Sequence, residues 1–162
     1  DGTSAAVDGG YAVCNGPTWS ADGGTLFFND TVNARTLAWD FDAAAGTVSG
    51  RRLWRQWDPV ADGLPDGMTT DAAGRVWVAH WGGGCVTCHE PTGGAELLRI
   101  ALPAAHVTSC AFGGPDLCTL FVTSATFGLD AAQRAAQPLA GALFAIDLGQ
   151  PGRPADRYGV KR

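Results

Sequence analysis

The sequence predicts an all-β protein built as a partial β-propeller, and three observations support this prediction. A short phrase opens with Asn-Gly at residues 15–20, returns with Asp-Gly at 66–71, and has a looser copy at 109–114. The apolar strand patterns that follow the three copies lie 50 and then 44 residues apart, a period typical of radially repeated four-stranded blades. Glycine is abundant, at 23 of 162 residues, as expected where tight turns join short strands.

Each predicted blade takes short aromatic or β-branched strands separated by turns rich in Asp, Gly and Ala. The strands of the first blade are predicted at residues 16–20, 25–30, 36–42 and 51–57. Those of the second are predicted at 67–71, 75–80, 85–90 and 96–102. The third is predicted at 107–112, 119–125 and 141–147, interrupted by a helical turn at 130–136 that Pro138 ends.

The predicted domain covers residues 1–149, and residues 1–13 are interpreted as the outer strand of a preceding blade. Residues 150–162 are predicted to be a loop or disordered tail. Three blades leave edge strands open, and open edges invite pairing with other chains. We therefore expect the ring to be completed by an amino-terminal half or by a second copy of the chain.

Charge and cysteine content narrow the class of partner and the compartment. A formal net charge of −5 without a basic cluster argues against nucleic acid or an anionic membrane as partner. No apolar run approaches the length of a membrane span. Five cysteines at irregular spacing indicate a reduced, cytoplasmic setting rather than a disulfide framework.

Two short motifs have a structural explanation as well as a functional one. Cys85-Val86-Thr87-Cys88-His89 matches the c-type haem attachment signature. The repeat places this motif on a strand, where positions three apart point to opposite faces, so we expect no haem there. We expect no zinc site either, because a second Cys/His pair is missing. Asn29-Asp30-Thr31 matches a glycosylation sequon at a strand end and is given little weight.

The two Asx-Gly pairs are the strongest candidates for a functional site. In a propeller the innermost strand of every blade faces a central channel, so Asn15 and Asp66 should be neighbours, with Ser109 as their third-blade equivalent. An amide oxygen and a carboxylate suit a hard divalent cation, and Ca²⁺ is favoured over Mg²⁺, Mn²⁺, Zn²⁺ or Fe²⁺. The alternative interpretation is that each pair only forms a turn.

Blade topology also predicts which residues surround the channel opening. In each blade the second strand should end at the channel opening, where the innermost strand begins. The residues at these strand ends are Asp30, His80, Trp81, Thr123 and Ser124. His80 would act as a base or contact substrate, or be an exposed strand-end histidine. Trp19 or Trp81 would offer a surface on which a carbohydrate stacks, whereas the other tryptophans pack within blades.

The chain resembles the family of gluconolactonases, regucalcin (the senescence marker protein) and luciferin-regenerating enzyme. The stretches that carry this resemblance are Asn15-Gly16-x-x-Trp19-Ser20-x-Asp22-Gly23, Ala38-Trp39-Asp40-Phe41-Asp42, Leu64-Pro65-Asp66-Gly67-Met68, Trp81-Gly82-Gly83-Gly84, Ala111-Phe112-Gly113-Gly114 and Gln137-Pro138-Leu139-Ala140-Gly141. They run over nearly the whole chain and correspond to the carboxy-terminal half of a family member, which implies a six-bladed propeller.

The resemblance also implies a site and an activity. The family holds one divalent cation through a glutamate near its amino terminus, the asparagine of the Asn-Gly phrase and the aspartate of the Pro-Asp-Gly phrase. The last two correspond to Asn15 and Asp66, whereas the glutamate and the family's substrate-binding arginine and asparagine would precede residue 1. The implied function is opening of a sugar lactone by water, with Asp66 as cation ligand, general base or both. The rivals are a binding module without turnover and a related hydrolase of phosphoesters or bulky lactones.

Overall fold

The computed structural model describes residues 4–155, and these form eleven β-strands and one short α-helix. The elements are β1 (Cys14–Trp19), β2 (Thr25–Asp30), β3 (Arg35–Asp42), β4 (Thr47–Gln56), β5 (Leu64–Thr70), β6 (Val76–Trp81), β7 (Cys85–His89), β8 (Glu96–Ala101), β9 (His106–Gly113), β10 (Thr119–Ala125), α1 (Ala131–Ala136) and β11 (Leu143–Asp147). The predicted all-β class is therefore confirmed. Within the described part of the chain, no helix is long and apolar enough to cross a membrane.

The strands form three antiparallel meanders in chain order. The first meander is the four-stranded sheet β1-β2-β3-β4. The second runs β5-β6-β7-β8 and the third runs β9-β10-β11, and one pairing, Trp81 with His106, joins them into a single curled sheet. This arrangement is compatible with a propeller-like fold, while the number of blades in the whole protein stays a prediction.

Strand β6 divides the core into two apolar layers because successive side chains point to opposite faces of a strand. Val76 and Val78 face the first meander, where they pack with Phe27 and Trp57. Trp77 and Ala79 face the third meander, in a layer completed by these residues: Val86, Cys88, Val107, Cys110, Leu120 and Val122. Strand β6 is thus buried on both faces, which explains its nearly continuous apolar sequence.

The amino-terminal segment differs from the sequence prediction, and the described start of the tail is the loop that was predicted. Residues 4–13 contain no strand, so the predicted outer strand is not found in that part of the segment. Tyr11 instead packs its ring against Phe28, with the ring centroids 4.9 Å apart. At the other end Gly152 is buried and donates its N–H to the Leu117 carbonyl at 2.9 Å, so the start of the predicted tail is a packed loop. Residues 156–162 lie outside the described part.

Candidate functional site

One end of the molecule collects the starts of β1, β5 and β9 and the ends of β2, β6 and β10. The pairings that establish this are Cys14 with Asp30, Leu64 with Trp81, and His106 with Ala125. Because neighbouring strands are antiparallel, the first residue of one lies beside the last residue of the next. We call this end the upper rim. The backbones of Asn15, Asp66, Trp81 and Asp30 all lie at or near it, as the repeat predicted.

The first strands of the three meanders also lie side by side. The Thr18 hydroxyl of β1 and the Thr70 hydroxyl of β5 are 2.9 Å apart. A Cβ atom placed on Gly67 of β5 would lie 2.6 Å from the Cβ atom of Ser109 in β9. Glycine is therefore required after Asp66 by the close approach of two strands, an explanation that goes beyond turn formation.

A chain of hydrogen bonds connects Asn15 to the backbone beside Asp66. The amide nitrogen of Asn15 donates to the Thr31 hydroxyl at 3.0 Å, and that hydroxyl donates to the Pro65 carbonyl at 2.7 Å. This orientation engages the nitrogen of the Asn15 amide with Thr31, so the oxygen is the atom of that amide suited to a cation. Half-buried Asn15 is thereby tied to the backbone of Pro65, the residue before half-buried Asp66.

A second network fixes the main chain of Asp66 itself. Asn29 is fully buried, and its amide nitrogen donates to the Asp66 carbonyl at 2.6 Å. The Asn29 amide oxygen accepts from the Thr36 hydroxyl at 2.5 Å, and Thr36 accepts the indole N–H of Trp57 at 2.9 Å. An asparagine buried in this way is inaccessible to a glycan, so the sequon has a structural role. Sequence reasoning missed this role, although polar residues inside apolar strands were the available signal.

Replacing Asn29 with alanine is expected to lower the free energy of unfolding by about 2 kcal/mol, because the Asp66 carbonyl and the Thr36 hydroxyl would lose a partner in the core. Denaturant unfolding followed by tryptophan fluorescence measures this change. Val60→Ala is the control, since Val60 is 96% exposed in the loop between β4 and β5 and its replacement should cost about 0.5 kcal/mol or less. Equal losses in the two variants would contradict a positioning role for Asn29.

The carboxyl group of Asp66 sits in a partly desolvated position. Burial raises the pKa of Asp66 to about 6, against the smaller lowering effect of the Gly67 backbone N–H. A carboxylate removed from water in this way is stabilised by a nearby positive charge. The position therefore favours a bound cation.

Two oxygen-bearing side chains near the upper rim have the chemistry of cation ligands. An amide oxygen from Asn15 and a carboxylate from Asp66 are hard oxygen donors suited to Ca²⁺ or Mg²⁺. Among residues 4–155, no group of three or more His, Cys, Asp or Glu side chains is placed to hold a metal ion.

Two of the predicted rim residues point into the core instead. His80 is fully buried, its Nε2 lies 2.6 Å from the Thr87 hydroxyl, and burial lowers its pKa to about 3. Its ring lies against Trp57 with a centroid distance of 4.8 Å, because its position on β6 faces the first meander. Asp30 is also fully buried, and its Oδ2 accepts from the Arg35 guanidinium at 2.8 Å. The structure thus engages both side chains in packing and pairing.

Other predicted rim residues remain accessible. Ser109 is exposed and lies against Gly67, next to Asp66. Thr123 is exposed, and its hydroxyl lies 2.7 Å from the hydroxyl of Thr108. Ser124 instead accepts the Gly141 N–H at 3.0 Å and donates to the Ala142 carbonyl at 2.8 Å, which anchors the segment that follows α1.

Trp81 has aromatic neighbours that the sequence did not reveal. Its indole stacks on the His106 imidazole at a centroid distance of 4.0 Å and an interplanar angle of 9°. Phe127, on the loop after β10, lies 6.4 Å from the indole and is 79% exposed. Trp19 lies at the opposite end of β1 and packs on Phe41, away from the upper rim. The sequence feature that could have identified His106 is its position three residues before Ser109, the first residue of the third copy of the phrase.

The Cys85–His89 strand has the geometry predicted for it. Cys85 and Cys88 are both buried free thiols of β7. Cys88 lies in the apolar layer between the second and third meanders, whereas the Cys85 sulfur accepts from the Arg99 guanidinium at 3.5 Å. The other three cysteines are also free.

Known proteins resemble the chain over nearly its whole length. Residues 1–126 match the family model described as the SMP-30/Gluconolactonase/LRE-like region. The pentonolactonase of Haloferax volcanii is 39% identical over 165 residues, covering 99% of this chain and 56% of the relative. Regucalcin of Danio rerio is 39% identical over 147 residues, covering 90% of this chain and 50% of the relative.

A solved structure extends the agreement to the fold. The calcium-binding protein regucalcin from Agrobacterium tumefaciens superimposes with a TM-score of 0.86 at 32% identity, covering 93% of this chain and 50% of that one. The chain thus spans about half the length of the relatives that it matches. On these matches, the chain belongs to the SMP-30/gluconolactonase/LRE-like family.

Proposed function

We propose that the chain is part of a metal-dependent hydrolase that opens sugar lactones. The observation that carries this proposal is the network through Thr31 that links Asn15 to the backbone beside Asp66 at the upper rim. Relatives named for pentonolactone hydrolysis and for calcium binding support the same chemistry. We infer further that the complete protein is a six-bladed ring, with the remaining blades supplied by additional chain or by a second copy.

In this proposal Asn15 and Asp66 would hold one divalent cation, with Ca²⁺ favoured. When bound, the cation would polarise the lactone carbonyl and favour attack by water. Asp66 would accept a proton from the attacking water while the oxygen of that water bonds to the carbonyl carbon. The bond between that carbon and the ring oxygen then breaks, and the ring oxygen takes up a proton to give the open hydroxy acid. The half-buried position of Asp66 holds its carboxylate for both roles.

A non-catalytic cation-binding module is the second candidate. One observation favours it. The described residues offer Asn15 and Asp66 as cation ligands, but they contain no group of three or more His, Cys, Asp or Glu side chains placed to hold a metal ion. Such a module would bind Ca²⁺ through Asn15 and Asp66 without turning over a lactone.

Proton release from δ-gluconolactone and from a pentonolactone, measured in a pH-stat, separates the two candidates. We expect a rate above spontaneous hydrolysis that Ca²⁺, Mg²⁺ or Mn²⁺ supports and EDTA removes. The Haloferax pentonolactonase serves as a positive control. Calcium binding by calorimetry without any metal-dependent rate would select the binding module. Neither binding nor hydrolysis would refute the proposal. Native mass spectrometry on the same sample shows whether two copies associate.

A further inference from the structure

We propose that Trp81, His106 and Phe127 form an aromatic subsite at the upper rim that binds the C–H face of a carbohydrate ring. The inference rests on the proposed function, because the ring held there would be that of the sugar lactone. Aromatic faces bind sugar rings through their apolar C–H side while the hydroxyl groups stay solvated or hydrogen-bonded.

The stacked pair provides a rigid flat surface. Trp81 and His106 lie 4.0 Å apart with an interplanar angle of 9°, and they are also the residues whose backbones pair β6 with β9. An indole fixed both by its backbone ladder and by a stacked neighbour loses little conformational freedom when a ligand arrives. Trp81 is partly exposed, so it remains available to such a ligand.

Phe127 is an exposed aromatic ring on an anchored loop. Its side chain is 79% exposed, yet the next residues are held in place: Gly128 has a φ of +81° and Leu129 is 7% exposed. Helix α1 follows at once and is capped by Asp130, whose carboxylate accepts the Gln133 N–H at 2.8 Å. A large apolar ring held in water beside a second aromatic residue gains stability when a ligand covers it.

The polar neighbours favour a sugar ring over an aliphatic chain. Exposed Ser109 lies three residues beyond His106 on β9, and a β-bulge between them puts Val107 and Cys110 on the core face, so His106 and Ser109 share the other face. Exposed Thr123 pairs with Ser109 across the ladder. Strand geometry places Ser109 roughly 10 Å from His106, about the span of a substituted sugar ring and its hydroxyl groups. A surface with aromatic carbon at one end and hydroxyl groups at the other matches a ring with one apolar face and a hydroxylated edge.

Saturation-transfer NMR in the presence of EDTA tests the subsite without requiring turnover. The probes are 1,5-anhydro-D-glucitol, a stable sugar ring, and D-glucitol, its acyclic counterpart. We expect saturation of the ring C–H protons of the cyclic probe, weaker transfer to the acyclic one, and roughly tenfold weaker binding of the cyclic probe to Phe127→Ala. Leu97→Ala is the control because Leu97 is 54% exposed on β8, near the end of the molecule opposite the upper rim. This variant should bind the cyclic probe as the wild type does.

Equal binding of the two probes, or of the cyclic probe to wild type and Phe127→Ala, would overturn the subsite. Lactone hydrolysis without ring binding would refute only this inference, whereas ring binding without hydrolysis would refute only the proposed function. Where hydrolysis is observed, Phe127→Ala should raise KM about tenfold with kcat retained, since the ring contacts substrate away from the reacting carbonyl. A loss confined to kcat would also count against the subsite.

Discussion

Replacement of Asp66 with asparagine is expected to lower metal-dependent lactone hydrolysis at least about a hundredfold, because the change removes both a charged ligand and the proton acceptor. The asparagine side chain is nearly isosteric, and the Asn29 contact to residue 66 uses the backbone carbonyl, so the fold should be retained. Asp40→Asn is the matched control, since Asp40 is exposed in β3 and pairs with Arg52 at 2.7 Å. Unchanged turnover in Asp66→Asn would remove Asp66 from the mechanism.

The same variant offers a readout that does not depend on activity. Calcium at a hundred times its dissociation constant should stabilise the wild-type chain by about 2.7 kcal/mol, and the Asp66→Asn chain much less. Thermal unfolding in CaCl₂ and in EDTA measures this difference. Equal stabilisation of the two chains would place the calcium site elsewhere.

Acid is expected to destabilise the fold steeply below about pH 6.5, because two buried histidines must remain neutral. The His80 Nε2 and the His89 Nε2 lie 2.6 and 2.7 Å from the same Thr87 hydroxyl. The His89 Nδ1 lies 3.1 Å from the Gly94 carbonyl, which can only accept, so this nitrogen carries the proton. Thr87 then donates to the His89 Nε2, which makes His89 neutral, and accepts from the His80 Nε2. Burial disfavours a second proton on His80.

The direction of the pH effect follows from the pKa values. Burial lowers the pKa of His80 to about 3 and that of His89 to about 4, from an ordinary value of 6.5. The folded chain therefore binds fewer protons than the unfolded chain below pH 6.5, and the stability that is complete above this pH is lost as the pH falls. Two such groups give a slope of up to about 2.7 kcal/mol per pH unit. The raised pKa of Asp66 acts in the opposite direction between about pH 6 and 4.

The charged groups around the pair modify this effect. For His80, Asp62 and Glu96 favour the protonated imidazole, whereas His89 and Arg99 disfavour it. For His89, Glu96 and the Gly94 carbonyl favour protonation, whereas Arg55 and Arg99 disfavour it. Burial is the largest influence on both. Unfolding free energies from pH 8 to pH 4.5 should fall in the wild type. A chain carrying His80→Gln and His89→Gln should be less stable at pH 8 but show a clearly flatter profile, because glutamine can occupy the Nε2 position without titrating. A slope as steep as that of the wild type would assign the acid sensitivity to other groups.

The sequence was sufficient to predict most of the strands and the placement of Asn15 and Asp66 near one end of the molecule, and the physical reason is repetition. Their joint binding of one cation stays a prediction. In a repeat with a period near 50 residues, equivalent strands lie side by side. Asp66 and Asn15 occupy equivalent positions of the repeat, so they could be predicted as neighbours without knowledge of any contact. Some strand boundaries differ from the prediction because β-bulges lengthen a strand. The strand predicted at residues 51–57 is β4, which begins at Thr47 and continues through Gly50, whose φ is +61°.

The orientation of His80 and the partners of Asp66 could not be predicted from the sequence. His80 lies at the expected end of β6, but strand alternation turns it toward Trp57 of a different meander. Asn29 and Thr36 act through a contact between two sheets, and such a contact depends on packing distances that no local pattern records. The stack of Trp81 on His106 likewise requires two meanders to meet.

Strand β6 has a mechanical consequence for the whole chain. Its alternate side chains belong to two separate apolar layers, so neither layer can loosen without moving a strand that the other requires. Phe27 in one layer and Leu120 in the other are thereby joined through β6. We therefore expect the three meanders to unfold as one cooperative unit, although a single backbone pairing joins the second to the third.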